Sequence, residues 1–399
     1  MKKVLIDAMF KHIQYGGVAV RYWDGEEVHY GDTEPHFKII FNKKPPLMTA
    51  TIEDPTITLG EFYMDEIIDY EGSLDELISI MEMNKLLNSD TQHLANKWMT
   101  AAKSGLGSVA DKFKQRQNIH AHYDLGNDFF SLWLDKTMCY SCAYFKKQDD
   151  DLHLAQLQKI DLILKKLRLQ PGMQLLDIGC GWGWLILRAA KQYGVRALGI
   201  TLSEEQYAGA RKRVEEAGLS DQVTVKLSNY LEIDPAQYQF DRIVSVGMFE
   251  HVGRDYFASY MKKVHDLLNF GGISMLHTLT NLREVETNAW AKKYIFPGGC
   301  IPALREIISL FPDYDFRVWH MESLRRHYVK TLELWYENFH QHIDEISGMF
   351  DKRFIRMWTL YLQGAAAILR TGNLDVYQIL FSKGVNNELP ITLNDIYVD

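Results

Sequence analysis

Cysteine is scarce in this chain, with four residues in 399. That scarcity excludes a small scaffold held together by disulfides, and it predicts a reducing, cytoplasmic location. Positive charge is not in excess either, because 44 Lys and Arg residues stand against 52 Asp and Glu residues, for a formal net charge of −8. A protein built to coat nucleic acid is therefore not expected. The net charge does not exclude a local basic patch on the surface.

Long apolar runs are also missing. The longest uncharged apolar run, from Trp358 to Leu369, is about half as long as a membrane-spanning helix must be. The N-terminal stretch MKKVLIDAMFKHIQYGG begins like a signal peptide, but Asp7, Lys11 and His12 interrupt its apolar run, and no small-residue cleavage site follows. Any membrane contact is therefore expected to be peripheral.

The chain is too long for one small core, and its patterns predict two domains. Residues 1–90 contain strand-like runs, an Asp24-Gly25 turn signal and the helical pattern LDELISIMEMNKLL, which together predict a small α+β domain. Residues 91–118 follow as a basic linker, in which Lys97, Lys103, Lys112, Lys114 and Arg116 alternate with apolar residues. Two interpretations stay open for this segment: a solvated linker, or a basic amphipathic surface that binds anionic lipid.

Strand-like and helical runs alternate from about residue 152. This alternation predicts an α/β domain with a parallel, doubly wound, Rossmann-like sheet, here assigned to residues 119–399. Its strongest feature is LLDIGCGWGWL, in which Gly179, Gly181 and Gly183 follow a buried strand and open a helix. Glycines at such a turn let the backbone approach a ligand closely. The spacing differs from the dinucleotide pattern G-x-G-x-x-G. It resembles the turn of class I S-adenosylmethionine-dependent methyltransferases, with a nicotinamide or flavin domain as the alternative.

Eight motifs make the resemblance more specific. They occur in the order HYDLGNDFF, MCYSCAYF, LLDIGCGWG, GITLSEEQ, GMFEHVG, LHTL, IFPGGCIP and HYVKTLELWYENF. Together they resemble the cyclopropane-fatty-acyl-phospholipid synthases from about Asn118 to Ser382, and LGEFYMDEIID resembles the N-terminal domain of the long bacterial members. The resemblance implies methylene transfer from S-adenosylmethionine to cis double bonds of phospholipid acyl chains. Methyl addition leaves a carbocation, and a base must then remove a proton from the new methyl so that the ring closes.

The resemblance also implies that this base is a bound bicarbonate. Its matching positions are Cys142, Glu250, His277 and Tyr328, with the backbone near Leu279. His277 and Tyr328 can donate hydrogen bonds, Glu250 can accept from the bicarbonate hydroxyl, and Cys142 offers a thiol or an amide. We also expect His277 to balance the charge of Glu250. The simpler alternatives are a surface salt bridge for Glu250 and a hydrogen-bonded core position for His277.

For S-adenosylmethionine, the resemblance implies one set of contacts. They are Tyr123, Tyr140, Ser141, Gly179, Gly181, Gly183, Thr201, Leu202, Gln206, Asn229 and Tyr230. In such folds an acid usually ends the second strand of the parallel sheet and binds the ribose hydroxyls. The second strand of the predicted sheet has no such acid, which leaves Thr201 and Gln206 as polar contacts. Some relatives read Asp-Tyr-Arg where this chain has Asn229-Tyr230-Leu231, so the adenine contact is the weaker expectation. Ala365 replaces a cysteine found in some relatives, which implies that no covalent cysteine step is needed.

Several alternatives stay open at this stage. Cys139 and Cys142 have C-x-x-C spacing, but neither a second such pair nor a His pair at zinc spacing accompanies them, so no metal site is expected. The aromatic residues from Trp335 to Tyr361 either pack helices against each other or line a groove for an acyl chain. The competing functions are amine methylation, methyl addition without ring closure, and lipid binding without catalysis. Peripheral association with the inner membrane face is expected, while homodimerisation and head-group preference are left open.

Overall fold

Two β-sheets organise the described part of the chain. A computed structural model describes residues 2–46, 54–86 and 125–397, so that Tyr123 and the basic segment 97–116 lie outside the described residues. The first sheet has the order β2-β1-β3-β4. Its strands are β1 (Gly17–Arg21), β2 (Glu27–Gly31), β3 (Phe37–Phe41) and β4 (Ile68–Glu71). The helices that accompany it are α1 (Lys2–Phe10), α2 (Pro55–Met64) and α3 (Leu74–Met83).

Local sequence signals explain much of this first unit. Gly25 has a φ of 90° in the turn between β1 and β2, which confirms the predicted hairpin. The predicted strand β3 and helix α3 are also confirmed, and Ser73 and Glu76 form a capping box at the start of α3. Helix α2 was not predicted, although Asp54 caps it by accepting from Thr56 N at 2.8 Å.

The second sheet has seven strands in the order β10-β11-β9-β8-β5-β6-β7. They are β5 (Gln174–Ile178), β6 (Arg196–Thr201), β7 (Val223–Leu227), β8 (Phe240–Val246), β9 (Leu268–Asn281), β10 (Phe316–Ser323) and β11 (Leu374–Lys383). Strands β5 to β9 pair in parallel, which confirms the predicted Rossmann-like sheet. Strands β10 and β11 join antiparallel and were not predicted, because helices separate them in sequence and leave no local hairpin signal.

Helices cover both faces of this sheet. The helices described in this part of the chain are α4 (Asn127–Trp133), α5 (Leu152–Lys166), α6 (Trp184–Tyr193), α7 (Glu204–Glu216), α8 (Phe257–Leu267), α9 (Ala289–Tyr294), α10 (Leu304–Leu310), α11 (Arg325–Gln341), α12 (Ile343–Met349), α13 (Lys352–Thr371) and α14 (Asn394–Tyr397). Neighbouring residues of β5 show the two layers, since Leu175 packs with α5 and α6 while Leu176 packs with α8. Alternation along a strand therefore builds one core on each side.

A third, aromatic core joins α4, α11 and α13. Trp133, Trp335 and Trp358 are all fully buried there, and the Trp133 ring contacts each of the other two edge to face. The buried members of the C-terminal aromatic stripe thus pack helices together. No helix among the described residues is long and apolar enough to cross a membrane.

Candidate active site

A cavity opens at the carboxyl ends of the parallel strands. Its empty volume is about 1140 Å³, part of which is open to solvent. Open α/β sheets bind their ligands at this edge. The predicted residues that line it are Tyr140, Ser141, Gly179, Gly181, Thr201, Leu202, Gln206, Asn229 and Tyr230. The structure therefore brings the predicted cofactor residues of the described part of the chain together, with Gly183 directly behind them at the start of α6.

The glycine turn has the backbone that its sequence predicts. Gly179, Gly181 and Gly183 all have positive φ, at 85°, 54° and 86°, where other residues are strained. A Cβ on Gly179 would lie 2.9 Å from the Met248 side chain. A Cβ on Gly181 would meet nothing within 4 Å. The turn is therefore packed on one side and leaves room for a ligand on the other.

Polar side chains at the ends of β6 and β7 are held in place by local hydrogen bonds. Thr201 Oγ1 donates to Gln206 Oε1 at 2.8 Å, so the Gln206 amide nitrogen is the group that can face a ligand. Asn229 Oδ1 accepts from Leu231 N at 2.9 Å and orders the turn that carries Tyr230. The buried Tyr230 hydroxyl has no hydrogen-bond partner among the described residues. A polar ligand would satisfy it.

Two buried charged residues of the cavity escaped the sequence analysis. Asp177, next to the last residue of β5, is 2% exposed, and burial raises its pKa to about 7 although Lys159 opposes the shift. Its Oδ1 has no hydrogen-bond partner in the described chain. Lys159 Nζ donates to Ser141 Oγ at 2.9 Å. An acid in the otherwise apolar LLDIG run could have pointed to Asp177, whereas Lys159 lies on the amphipathic helix α5 without any distinguishing signal.

The predicted anion-binding residues gather around Leu279, on β9. Leu279 N donates to Glu250 Oε1 at 2.6 Å, and the buried Glu250 Oε2 has no hydrogen-bond partner among the described residues. Burial raises the Glu250 pKa. Cys142 and Tyr328 pack in the same small cluster as Leu279, and burial raises the Cys142 pKa so that the thiol stays neutral. Glu250 is thus no surface salt bridge.

His277 lies two residues from Leu279 on the same strand and therefore on the same face. It pairs across the sheet with Gln378 of β11, whose Nε2 lies 3.3 Å from His277 Nδ1. Burial, with the nearby charges of Lys159 and Lys166, lowers the His277 pKa well below its ordinary value. The expectation that His277 balances the charge of Glu250 is therefore wrong, because a neutral imidazole carries no charge.

The two cysteines of the C-x-x-C stretch have separate surroundings. Cys139 lines the cavity, whereas the buried Cys142 packs against Leu324 and Val376. Tyr140, between them, shares a hydrogen bond of 2.8 Å with Tyr361. Within residues 2–46, 54–86 and 125–397, no group of three or more His, Cys, Asp or Glu side chains could hold a metal ion. His251, next to Glu250, lines the cavity, and burial lowers its pKa to about 4.

Comparisons with known proteins place this geometry in context. The family model described as "Mycolic acid cyclopropane synthetase" matches residues 110–379, and that of a domain of unknown function, DUF7884, matches residues 5–92. The cyclopropane-fatty-acyl-phospholipid synthase of Escherichia coli (strain K12) is 39% identical over 88% of this chain and 89% of its own. A probable fatty acid methyltransferase of Pseudomonas putida is 35% identical over 95% of both chains.

A solved structure adds a bound ligand to the comparison. It is the crystal structure of the mycolic acid cyclopropane synthase CmaA1 complexed with SAH and CTAB. It is 36% identical to this chain, with a TM-score of 0.64, and the match covers 67% of this chain and 98% of that one.

Proposed function

The chain belongs to the mycolic acid cyclopropane synthetase family, and we propose that it is a cyclopropane-fatty-acyl-phospholipid synthase. It would transfer a methylene group from S-adenosylmethionine to cis double bonds of unsaturated phospholipid acyl chains. The observation that carries this proposal is the buried cluster around Leu279, directly beside the cavity. Glu250 belongs to that cluster, while its neighbours Met248 and His251 line the cavity.

The cavity residues fit S-adenosylmethionine as co-substrate. Gly181 leaves open space at the turn, and the orphaned Asp177 Oδ1 suits a ligand ammonium. The Lys159 ammonium, which lines the same cavity, suits a carboxylate. Together they match the two charges of an amino-acid moiety. The CmaA1 structure with SAH, the demethylated form of this co-substrate, supports the proposal.

The chemistry then depends on placement and on a dry site. An alkene carbon forms a bond to the methyl carbon while the carbon–sulfur bond breaks and the electron pair stays on sulfur. The other alkene carbon becomes a carbocation. Correct orientation supplies much of the rate, because no base is needed to activate an alkene. Tyr140 lines the cavity, and its ring contacts the rings of Trp133 and Trp335. An aromatic ring beside the cavity would help to stabilise the cation.

Ring closure requires removal of a proton from the new methyl group. We assign this step to the cluster of Cys142, Glu250, His277, Leu279 and Tyr328, which would hold a bicarbonate. Bound there, the bicarbonate supplies the base. The residue chemistry fits an oxyanion, because a neutral His277 and the Tyr328 hydroxyl can donate. Glu250 has a raised pKa, and its Oε2 has no hydrogen-bond partner in the described part of the chain, so it can exchange a proton with a bound hydroxyl.

A direct assay tests the function. Purified protein is incubated with S-adenosylmethionine and vesicles of unsaturated phospholipid, and the acyl chains are analysed by mass spectrometry. We expect each modified chain to gain one methylene and to lose its alkene. Methylation of a soluble amine without any lipid product would overturn the proposal in favour of an N-methyltransferase.

We also propose how the protein reaches its substrate. An N-terminal domain of residues 1–90, the basic linker 91–118 and a catalytic domain of residues 119–399 would form the chain, and the separate family matches to 5–92 and 110–379 support this division. The linker's basic and apolar residues would attach a cytoplasmic protein to the anionic inner face of the membrane.

Charge reversal at Lys112, Lys114 and Arg116 tests this attachment. The triple Glu variant is expected to sediment with anionic vesicles at least about tenfold less, since each basic residue near the surface adds roughly 1 kcal/mol. A control with the same charge change carries Glu at Lys212, Lys262 and Arg305, which are exposed in the catalytic domain. Equal vesicle binding by the two variants would assign the attachment to another surface.

A further inference from the structure

A buried chain of polar side chains lies behind His277. The Lys166 side chain, at the end of α5, is fully buried, and its Nζ donates to Gln378 Oε1 at 2.7 Å. Gln378 Nε2 in turn lies 3.3 Å from His277 Nδ1. Gln378 is 0% exposed and His277 only 2%. Such a network is costly to bury unless each of its members has a matching partner.

The chemistry of these groups permits one orientation of the amide. A lysine ammonium has donors only, so the Gln378 carbonyl oxygen must face Lys166. The Gln378 amino group is then the end that faces His277, because the side-chain amide has one oxygen and one nitrogen. The reverse orientation would set the amide donor against the ammonium donor of Lys166. Lys166 therefore determines which end of Gln378 reaches the histidine.

That orientation determines the proton position on His277. An amide N–H donates to Nδ1, so Nδ1 is the acceptor of the ring. The ring is neutral, since burial and two lysines lower its pKa, and a neutral imidazole with an accepting Nδ1 carries its proton on Nε2. His277 Nε2 is buried and has no hydrogen-bond partner among the described residues.

Glu322 supplies the negative charge that compensates the buried ammonium of Lys166. Its carboxylate forms an ion pair with Lys166 and accepts from the Tyr397 hydroxyl at 3.2 Å. Burying the lysine charge would be costly without such a partner. In metal sites, a hydrogen bond to one ring nitrogen of a histidine orients the other nitrogen toward the ligand. Gln378 stands in the same relation to His277.

We propose that Gln378, oriented by Lys166, is a positioning residue that holds His277 as the Nε2–H tautomer and so presents an N–H donor to the anion of the active site. The tautomer follows from the network alone, whereas the anion rests on the proposed function. The two can therefore fail separately.

Nuclear magnetic resonance of the full chain labelled with ¹⁵N-histidine tests the tautomer. The His277→Gln variant identifies the His277 signals by their loss. We expect Nε2 of His277 to show the shift of a protonated ring nitrogen and Nδ1 that of an unprotonated one. The opposite assignment, or two protonated nitrogens at neutral pH, would overturn the proposal, whatever the lipid assay gives.

Two substitutions separate positioning from packing. In Gln378→Glu the carboxylate only accepts hydrogen bonds, so the proton should move to Nδ1, and kcat should fall at least about tenfold with an unchanged KM for S-adenosylmethionine. Gln378→Met keeps a similar volume and should give a mixture of tautomers with a smaller loss. Unchanged His277 shifts in both variants would overturn the positioning role.

If Gln378→Glu does not fold, Lys166→Met must still disturb the His277 shifts, and unchanged shifts in that variant would also overturn the positioning role. Absence of any lipid product would overturn the proposed function alone.

Discussion

Charged residues serve two regions of this molecule in opposite surroundings. Where the first unit meets α9 and α13, ion pairs lie at the surface: Glu61 with Lys293, Asp65 with Arg353, Glu66 with Lys352, Asp69 with Arg356, and Asp75 with Arg370. Behind the active site, Lys166, Gln378 and the neutral His277 form a buried chain, and the partly exposed Glu322 pairs with Lys166. The residue types overlap, but Lys166 is fully buried whereas Lys293, Lys352 and Arg370 are 40% or more exposed.

The difference decides what each region contributes. Exposed ion pairs add about 0–1 kcal/mol each and weaken with salt. The contact of the first unit with α9 and α13 is therefore held mainly by packing, such as that of Gly60 against the Trp290 ring. Buried groups cannot exchange partners with water, and each loss is costly. Charge therefore gives modest support at the surface and fixes proton positions in the interior.

The largest effect is expected at Glu250. Glu250→Gln keeps the bond from Leu279 N to Oε1 but replaces the free Oε2 with a donor. Turnover should fall by about 100-fold or more, while calorimetry should show unchanged S-adenosylmethionine binding. The matched substitution Glu286→Gln, at an exposed carboxylate, should leave turnover unaltered. Equal rates in the two variants would remove Glu250 from the reaction.

Asp177 should show a buried charge that costs stability. Its pKa is raised from 3.8 to about 7, so between these values the unfolded chain releases a proton that the folded chain keeps. Stability is therefore lost as pH rises through this window. Asp177→Asn should remove that loss and raise the free energy of unfolding at pH 8 by up to about 4 kcal/mol. Denaturant titrations at pH 5 and pH 8 check this, and binding of S-adenosylmethionine should weaken. A variant that is less stable at pH 8 would contradict the account.

Arg356 is the partly buried exception within the surface contact. Its guanidinium donates to the carbonyls of Tyr63 and Ile68 and to Asp69, and it lies 3.8 Å from the centre of the Tyr63 ring. Arg356→Ala should lower the free energy of unfolding by about 2 kcal/mol, with kcat unchanged. A loss below the error of a melting experiment would mean that packing alone holds this contact.

The smallest effect on stability is expected at Lys352, which lies on the same helix as Arg356. This side chain is 69% exposed and pairs with Glu66, so Lys352→Ala should leave the melting temperature unchanged within error. The substitution is the matched control for Arg356. A comparable destabilisation by both would contradict the distinction between exposed and buried charge.

Local sequence signals predicted the fold and part of the site. The run LLDIGCGWG predicted a strand, a turn and a helix because positive φ at the glycines leaves few alternatives. Serine is a common N-cap residue, and the Oγ of Ser203, directly before α7, accepts from Gln206 N at 3.3 Å. Such features depend on neighbouring residues, which a pattern can show.

Contacts between distant residues were beyond the sequence. Gln378 is 101 positions from His277 and 212 from Lys166, and no periodicity connects them. The mistaken charge balance at His277 has the same origin, because burial and the two lysines depend on the folded sheet. The roles of Cys142 and Tyr328 remain predictions that their shared cluster supports.

One isotope experiment tests the central claim most directly. The purified protein is supplied with S-adenosylmethionine carrying a trideuterated methyl group and with unsaturated phospholipid vesicles. If the buried cluster removes a proton from the new methyl, the product is a cyclopropane that retains two of the three deuterium atoms. A methyl-branched or unchanged chain, or a product that retains all three, would contradict it.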